Sequence, residues 1–452
     1  MATNKMADMP VKKLMLSMGV PIILSMVLQA FYNIVDSAFV ANMSENGEAA
    51  LNALTLAFPF QMLMVAMGIG TGVGVNALLS KSLGQGDKER ASKAAGNALF
   101  MAGVIFIAFV LFGIFGVRPY ISSQTTNSLI TEMGAGYLRV CCILSFGIVF
   151  FSIYEKLLQA TGNSMYSTIA QVAGALTNIV LDPIMIYGLL GCPEFGVMGA
   201  AYATVIGQIV SFALALFFHL KVNKSVSNEL KYIKPSLHVI KAIYAIGLPA
   251  IIAQALMSVM TYGLNIVLGG VSEAMVTAYG LYYKMQQFIL FAAFGLRDAI
   301  TPIVSYSHGM GNKERIKDGI KYGMLFTLII MVVGLAAIEI FADPFSVLFG
   351  LSGETRSLCI AAMRIVSVSF IFAGINIAFQ GVFQALDGGL QSLVVSLCRQ
   401  HVFIFPPAIL FASIAKNNPA LSWTVWTSFP IAEIASAVIA AILFAGIYKR
   451  IK

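Results

Sequence analysis

Charge is what this sequence has least of. Only 11% of its 452 residues are Asp, Glu, Lys or Arg, against about 25% in an ordinary soluble domain. Hydrophobic residues make up 59% and mean hydropathy is +0.86, so water is not the main solvent of this chain. Catalytic signatures are missing as well. There is no HExxH, Walker A or GxSxG, and the four histidines (His219, His238, His308, His401) are scattered, which leaves hydrolysis and ATP-driven work without support. The five cysteines are odd in number, lack a metal-ligand rhythm and mostly sit inside apolar runs, as buried free thiols do. No enzyme, resident cofactor or metal centre is expected. The net charge of +8 comes from short basic segments between apolar runs. That pattern fits membrane orientation rather than nucleic-acid binding, which uses an aromatic-interleaved patch. GIGTGVG at 68–74 lies in an apolar run without the Lys and Ser or Thr of a phosphate loop, so its small residues are read as helix-packing positions.

What the chain has in abundance is apolar runs long enough to span a bilayer. They lie at about 14–39, 50–80, 95–117, 133–157, 165–190 and 197–219, and again at about 242–269, 276–307, 319–342, 356–384, 389–414 and 421–447. Kinks are expected at Pro59, Pro183, Pro302 and Pro406-Pro407. The N-terminus, the even-numbered loops and the C-terminus carry most of the 28 basic residues, while the opposite loops hold only Arg118, Arg139, Arg356, Arg364 and Lys416. By the positive-inside rule both termini are cytoplasmic, which requires an even number of crossings.

An internal repeat organises these spans. GQGDKER at 84–90 returns as GMGNKER at 309–315, an offset of 225 that also carries Arg139 onto Arg364 and Gln159-Ala160 onto Gln384-Ala385. Gly19–Pro21 returns as Gly247–Pro249, offset 228. Six spans per copy make both copies enter the membrane from the same side, a parallel repeat about a pseudo-two-fold along the membrane normal. The expected fold is an all-α integral membrane protein of twelve helices. Residues 1–219 form one six-helix lobe, 220–241 a cytoplasmic linker and 242–452 a second lobe. Two such lobes enclosing a cavity suit transport by alternating access.

Intramembrane acids mark functional candidates. Gln29, Asn33 and Asp36 share one face of span 1, with Tyr32 beside it, and Gln171, Asn178 and Asp182 share one face of span 5. Both spans run outward, which places the two acids at similar depth. A buried carboxylate among amides can take a proton, because burial disfavours its charged form, or can help ligate sodium. The second half offers Gln254, Ser258, Thr261 and Asn265 on span 7, Asn376, Gln380 and Gln384 on span 10, and the cations Lys284, Arg297 and Arg399 within spans. These polar groups read either as interhelical glue or as a partly basic cavity wall that contacts substrate. Arg297 and Asp298 are adjacent, so they are expected to face different ways and find other partners.

The repeat, FYNIVDSAFV at 31–40, LTNIVLDPIMIYG at 176–188 and the GxGxKER pair resemble the multidrug and toxin extrusion (MATE) family across essentially the whole chain. The resemblance implies an antiporter that exports amphipathic, often cationic, small molecules against a proton or, second, a sodium gradient. It assigns Asp36, with Gln29 and Tyr32, to the family's span 1 acid, Asn178 and Asp182 to its span 5 pair, and Thr204 on span 6 to a further ion ligand. Spans 7 and 10 lack the acids that some members carry there, which favours coupling through the first lobe, as in the DinF-like branch. The expected partners are a small-molecule substrate and membrane lipid, with no nucleic acid. The expected state is a monomer in the plasma membrane. The alternative is a flippase or exporter of a lipid-linked saccharide or an endogenous anionic metabolite.

Overall fold

The computed structural model describes residues 5–43, 47–348, 351 and 353–451. Among these, ten helices are long and apolar enough to cross a membrane, and two bent helix pairs bring the count to as many as twelve. In the first half they are α1 (Val11–Ala41), α2 (Gly47–Gly84), α3 (Lys88–Phe115), α4a (Ser128–Ile143) with α4b (Phe146–Ala160), α5 (Ser164–Tyr187) and α6 (Val197–Val222). In the second half they are α7 (Leu237–Gly269), α8 (Glu273–Gly309), α9 (Lys313–Leu348), α10a (Gly353–Ser367) with α10b (Phe370–Ala385), α11a (Gly389–Leu397) with α11b (Phe405–Asn417), and α12 (Ser428–Ile451).

The fourth span of each half, expected as one helix, is broken. α4a meets α4b at 47° and α10a meets α10b at 51°. Proline is not the cause. Leu144 leaves helical geometry (φ −100°, ψ 21°), and at the equivalent place Ser369 tightens the turn, its N–H and Oγ both donating to the Val366 carbonyl at 2.9 and 2.6 Å. A serine hydroxyl thus satisfies the carbonyl that the break frees. Pro406-Pro407 opens α11b rather than kinking a continuous helix. Each proline lacks an N–H, and the chain before them widens into a π-turn over Cys398–Val402, with Phe403 N–H donating to the Cys398 carbonyl at 2.9 Å.

Two compact units emerge. One comprises the residues up to Asp8 with Leu24–Ile251, the other Met9–Ile23 with Ile252–Lys452. α1 and α7 are therefore each divided between units, and the repeat is visible in how they are held. In the first unit Gly70 of α2 packs on Ile251 and Gly247 of α7; in the second, Gly295 of α8 packs on the backbone of Ile22 and Ile23 of α1. Gly68 and Gly72 face α4b at Ser152 and Lys156, so the glycine run is a packing surface on both faces of α2. Ser80 Oγ donates to the Ala160 carbonyl and Ser305 Oγ to the Ala385 carbonyl, both at 3.1 Å.

The two GxGxKER copies also fold alike. Gly86 and Gly311 take positive φ (77° and 68°), conformations that glycine adopts without strain. Asp87 and Asn312 then cap α3 and α9 by accepting from the N–H of Arg90 and Arg315 at 2.8 and 3.0 Å. The linker is pinned to the first unit. Asn97 of α3 accepts from the Ser236 N–H at 2.7 Å and donates to the Tyr232 and Lys234 carbonyls, and Ser92 Oγ accepts from the Ser227 N–H. On the exposed side of this strap Lys231, 2.6 Å from Glu229, holds that carboxyl below the usual range, aided by Ser227.

Candidate functional site

In the first unit, α5, which carries Asp182, is drawn against α6 by small residues. Gly174 of α5 lies against Ser211 and the Gly207 carbonyl of α6, and a Cβ on Gly207 would sit 2.6 Å from the Gly174 carbonyl and 3.1 Å from Asn178 Cβ. That closeness puts Thr204 beside Asn178, whose Nδ2 donates to Thr204 Oγ1 at 3.4 Å and to Asp182 Oδ1 at 3.2 Å. Asp182 is fully buried and Asn178 nearly so. The carboxyls of Asp36 and Asp182 lie close enough to interact electrostatically. Tyr32 lies close to both acids and to Cys141, and Gln171 Nε2 donates to Gln29 Oε1 at 2.9 Å.

Five of the predicted residues here, Tyr32, Asp36, Asn178, Asp182 and Thr204, thus fall into one cluster, and Gln29 and Gln171 pair with each other on the same two helices. The side chain of Asn33 lies outside the described residues. Gln61 and Tyr137, which the sequence did not single out, complete the surroundings. Gln61 Nε2 donates to Tyr137 Oη at 3.1 Å, and Tyr137 lies near Asp36 and Tyr32. The cluster is rich in acceptors. Asp36 Oδ1, Gln171 Oε1, Asn178 Oδ1 and Asp182 Oδ2 are buried without a donor, an arrangement that suits a proton or a small cation.

The second unit holds a different constellation. Arg399 Nε donates to Glu433 Oε1 at 2.5 Å, and Asn376 Nδ2 donates to Glu433 Oε2 at 2.8 Å and to the Glu433 carbonyl at 3.0 Å. Arg399 and Glu433 line a cavity of about 30 Å³ with Met257, Met260, Tyr283 and Phe429, room for roughly two waters. Gln380 Nε2 donates to Ser396 Oγ at 3.0 Å. Thr261 bonds back to the Met257 carbonyl at 3.0 Å, and Gln254, Ser258 and Asn265 are half-buried along α7.

Lys284 is exposed and is not among the residues that line this cavity. Arg297 and Asp298 pair with each other after all: Nε and Nη2 reach Asp298 Oδ1 at 3.0 and 2.9 Å. Neighbouring Cα–Cβ bonds diverge on a helix, but the long arginine stem curls back across Phe294. Glu433 itself went unselected, although an acid in the run 421–447 meets the same criterion that marked Asp36. Spans 7 and 10 lack an acid, as expected, yet one reaches Asn376 of α10b from α12. Glu155 and Lys156 are further buried charges, on α4b, where the sequence suggested the edge of a loop.

Buried charge clusters inside a two-unit bundle of membrane-length helices define a polytopic membrane protein with polar sites in its interior. A sequence model of the MatE family matches residues 21–184 and 249–410, one copy in each half. The chain belongs to the MatE family. It is 24% identical over 443 residues to the multidrug export protein MepA of Staphylococcus aureus, covering 96% of this chain and 94% of that protein. To MepA of Staphylococcus saprophyticus it is 23% identical over 429 residues, covering 95% and 92%. Among solved structures, a MATE in complex with MaL6 matches with TM-score 0.91 at 25% identity, over 99% of this chain and 100% of that one. A MOP superfamily transporter from Pyrococcus furiosus, described as having a binding pocket of reverse polarity, matches with TM-score 0.88 at 26% identity, over 100% of this chain and 98% of that one.

Proposed function

We propose that this protein is a secondary exporter that moves amphipathic, often cationic, small molecules out across the plasma membrane by antiport with protons, the Asp36–Asp182 pair being the coupling site. The observation that carries the reading is the closeness of the two carboxyls, each with a buried oxygen that has no donor. Two ionised carboxylates this close repel each other, and a proton held by one of them relieves the repulsion. Loading and unloading that proton changes the charge at a site shared by α1, α5 and α6, and so biases one conformation over another. The acceptors of Asn178 and Thr204 also make sodium an intelligible second choice.

Export, rather than catalysis, is the activity for which the MepA relatives are named. In this reading lobes 1–219 and 242–452, joined by the 220–241 strap, expose the substrate site alternately to each side, in a monomer with both termini cytoplasmic. The anionic-substrate alternative loses ground because Arg297 and Arg399 are each neutralised by an acid within hydrogen-bonding distance. The full-length protein in proteoliposomes, with proton and sodium gradients imposed separately, tests the proposal. A proton gradient alone is expected to drive efflux of a lipophilic cation such as ethidium, and Asp36→Asn and Asp182→Asn to abolish it while the protein still inserts. Efflux driven only by sodium, undiminished efflux in Asp36→Asn, or scrambling of a labelled lipid-linked sugar without drug efflux overturns it.

A further inference from the structure

α5 carries more polar surface than the coupling site needs. Ser164, Thr168, Gln171, Asn178 and Asp182 succeed one another at intervals of four, three, seven and four residues, which on an α-helix confines them to an arc of about 80°. Met165, Ile169, Leu176 and Val180, the exposed apolar residues of this helix, lie on the opposite side. From Ser164 to Asp182 the stripe runs about 27 Å along the axis, close to the ~30 Å thickness of a bilayer's hydrocarbon core.

Every one of the five presents a buried oxygen with no hydrogen-bonding partner: Ser164 Oγ, Thr168 Oγ1, Gln171 Oε1, Asn178 Oδ1 and Asp182 Oδ2. Hydroxyls in helices ordinarily bond back to a carbonyl one turn earlier. On the same helix Thr177 does so to Ala173 at 2.7 Å and Ser167 to Ser164 at 2.8 Å, while Thr168 does not, and Ser164 opens the helix with no earlier turn to bond to. Interhelical glue would have found partners, and buried polar oxygens left without them are places for water or an ion. Facing this stripe, α1 carries Ser25, Gln29, Tyr32 and Asp36 on one face at intervals of four, three and four. The two stripes are joined by the Gln171–Gln29 hydrogen bond, and the carboxyls of Asp182 and Asp36 lie close to each other further along.

We infer that these stripes form a proton relay from the Asp36–Asp182 pair to the Ser164 end of α5, with Thr168 and Ser164 as its last two protein hydroxyls. The inference rests on the coupling role proposed above, and on the charge distribution that puts the Ser164 end on the cytoplasmic side. At each hydroxyl one proton is accepted from the preceding donor and the hydroxyl's own proton passes to the next acceptor, so no group changes its net charge. Water carries the proton from Asp182 to Thr168, accepting and releasing one proton at each step, while the amides of Asn178 and Gln171 order that water and do not themselves pass the proton.

The test uses full-length protein in proteoliposomes loaded with a pH-sensitive dye, comparing wild type, Thr168→Val, Thr168→Ser, the double variant Ser164→Ala/Thr168→Val, and Asp36→Asn. Valine has nearly the shape of threonine, so Thr168→Val removes the hydroxyl while leaving the packing. Substrate-driven proton flux is expected to fall at least tenfold in the double variant and to stay within twofold of wild type in Thr168→Ser. Equilibrium binding of ethidium is expected to remain within twofold throughout the Ser164 and Thr168 series. A double variant with wild-type flux, alongside an inactive Asp36→Asn, overturns the relay and leaves the coupling assignment standing. Equal impairment of Thr168→Ser and Thr168→Val also overturns it, since hydroxyl chemistry is then not the cause. Wild-type flux in Asp36→Asn removes the coupling assignment and the relay with it.

Discussion

At the residue scale, the second unit offers a cleaner energetic test than the first. Arg399 and Glu433 are both nearly inaccessible and fully committed to each other and to Asn376. Removing one partner strands a charge in a medium that cannot solvate it, at about 3–5 kcal/mol. Arg399→Met or Glu433→Gln alone is therefore expected to lower the thermal unfolding temperature of the detergent-solubilised protein markedly. The double substitution is expected to recover much of the loss, because no unpaired charge remains. Additive losses in a double-mutant cycle would show that the pair is not coupled. Asp36 and Asp182 were legible in the sequence because each sits at helical spacing from amides on its own span, a local pattern. Glu433 has its partners on α10b and in the π-turn before α11b, far away in sequence, so only the bare rule about intramembrane acids could have marked it. The Arg297–Asp298 pair was misread for the opposite reason: adjacency was taken to forbid a contact that a flexible guanidinium stem makes.

Among the elements, the close approach of α5 and α6 decides whether Asn178 reaches Thr204. Gly207→Ala would place a methyl 2.6 Å from the Gly174 carbonyl, a backbone atom that cannot swing aside. The helices must part, at about 1–3 kcal/mol for the strain, and the Asn178–Thr204 bond of 3.4 Å lengthens beyond reach. A lower unfolding temperature together with several-fold slower gradient-driven efflux is expected; Thr204→Ala, which removes the bond without the strain, should slow efflux at nearly native stability. Native-like flux in both would detach Thr204 from the site. The strap gives a second case: Asn97→Ala withdraws one acceptor and two donors from the backbone at 232–236 and is expected to raise amide hydrogen exchange there while exchange in α5 stays unchanged. The number and place of the spans could be read from run length alone. The bends in the fourth and tenth could not, because a tight turn at Leu144-Ser145 or Val368-Ser369 leaves composition and length untouched.

For the whole molecule, the repeat is the organising fact, and it makes a topological demand. Gly86–Asp87 and Gly311–Asn312 build the same glycine turn and the same helix cap, and each lies after an even number of spans. A parallel repeat therefore puts both turns on one side of the membrane, whereas an inverted repeat would put them on opposite sides. The concentration of lysine and arginine beside them makes the cytoplasm the expected side. Gln85, Met310 and Ser123 are exposed and can be changed singly to cysteine in a background lacking the five native thiols. In intact cells a membrane-impermeant maleimide is expected to label the Ser123→Cys protein, whose site lies between α3 and α4a. The Gln85→Cys and Met310→Cys proteins should be labelled only after permeabilisation. Labelling of one of that pair but not the other from outside would refute the parallel repeat. Labelling of both from outside would invert the molecule, and with it the direction of proton release proposed for Asp36 and Asp182.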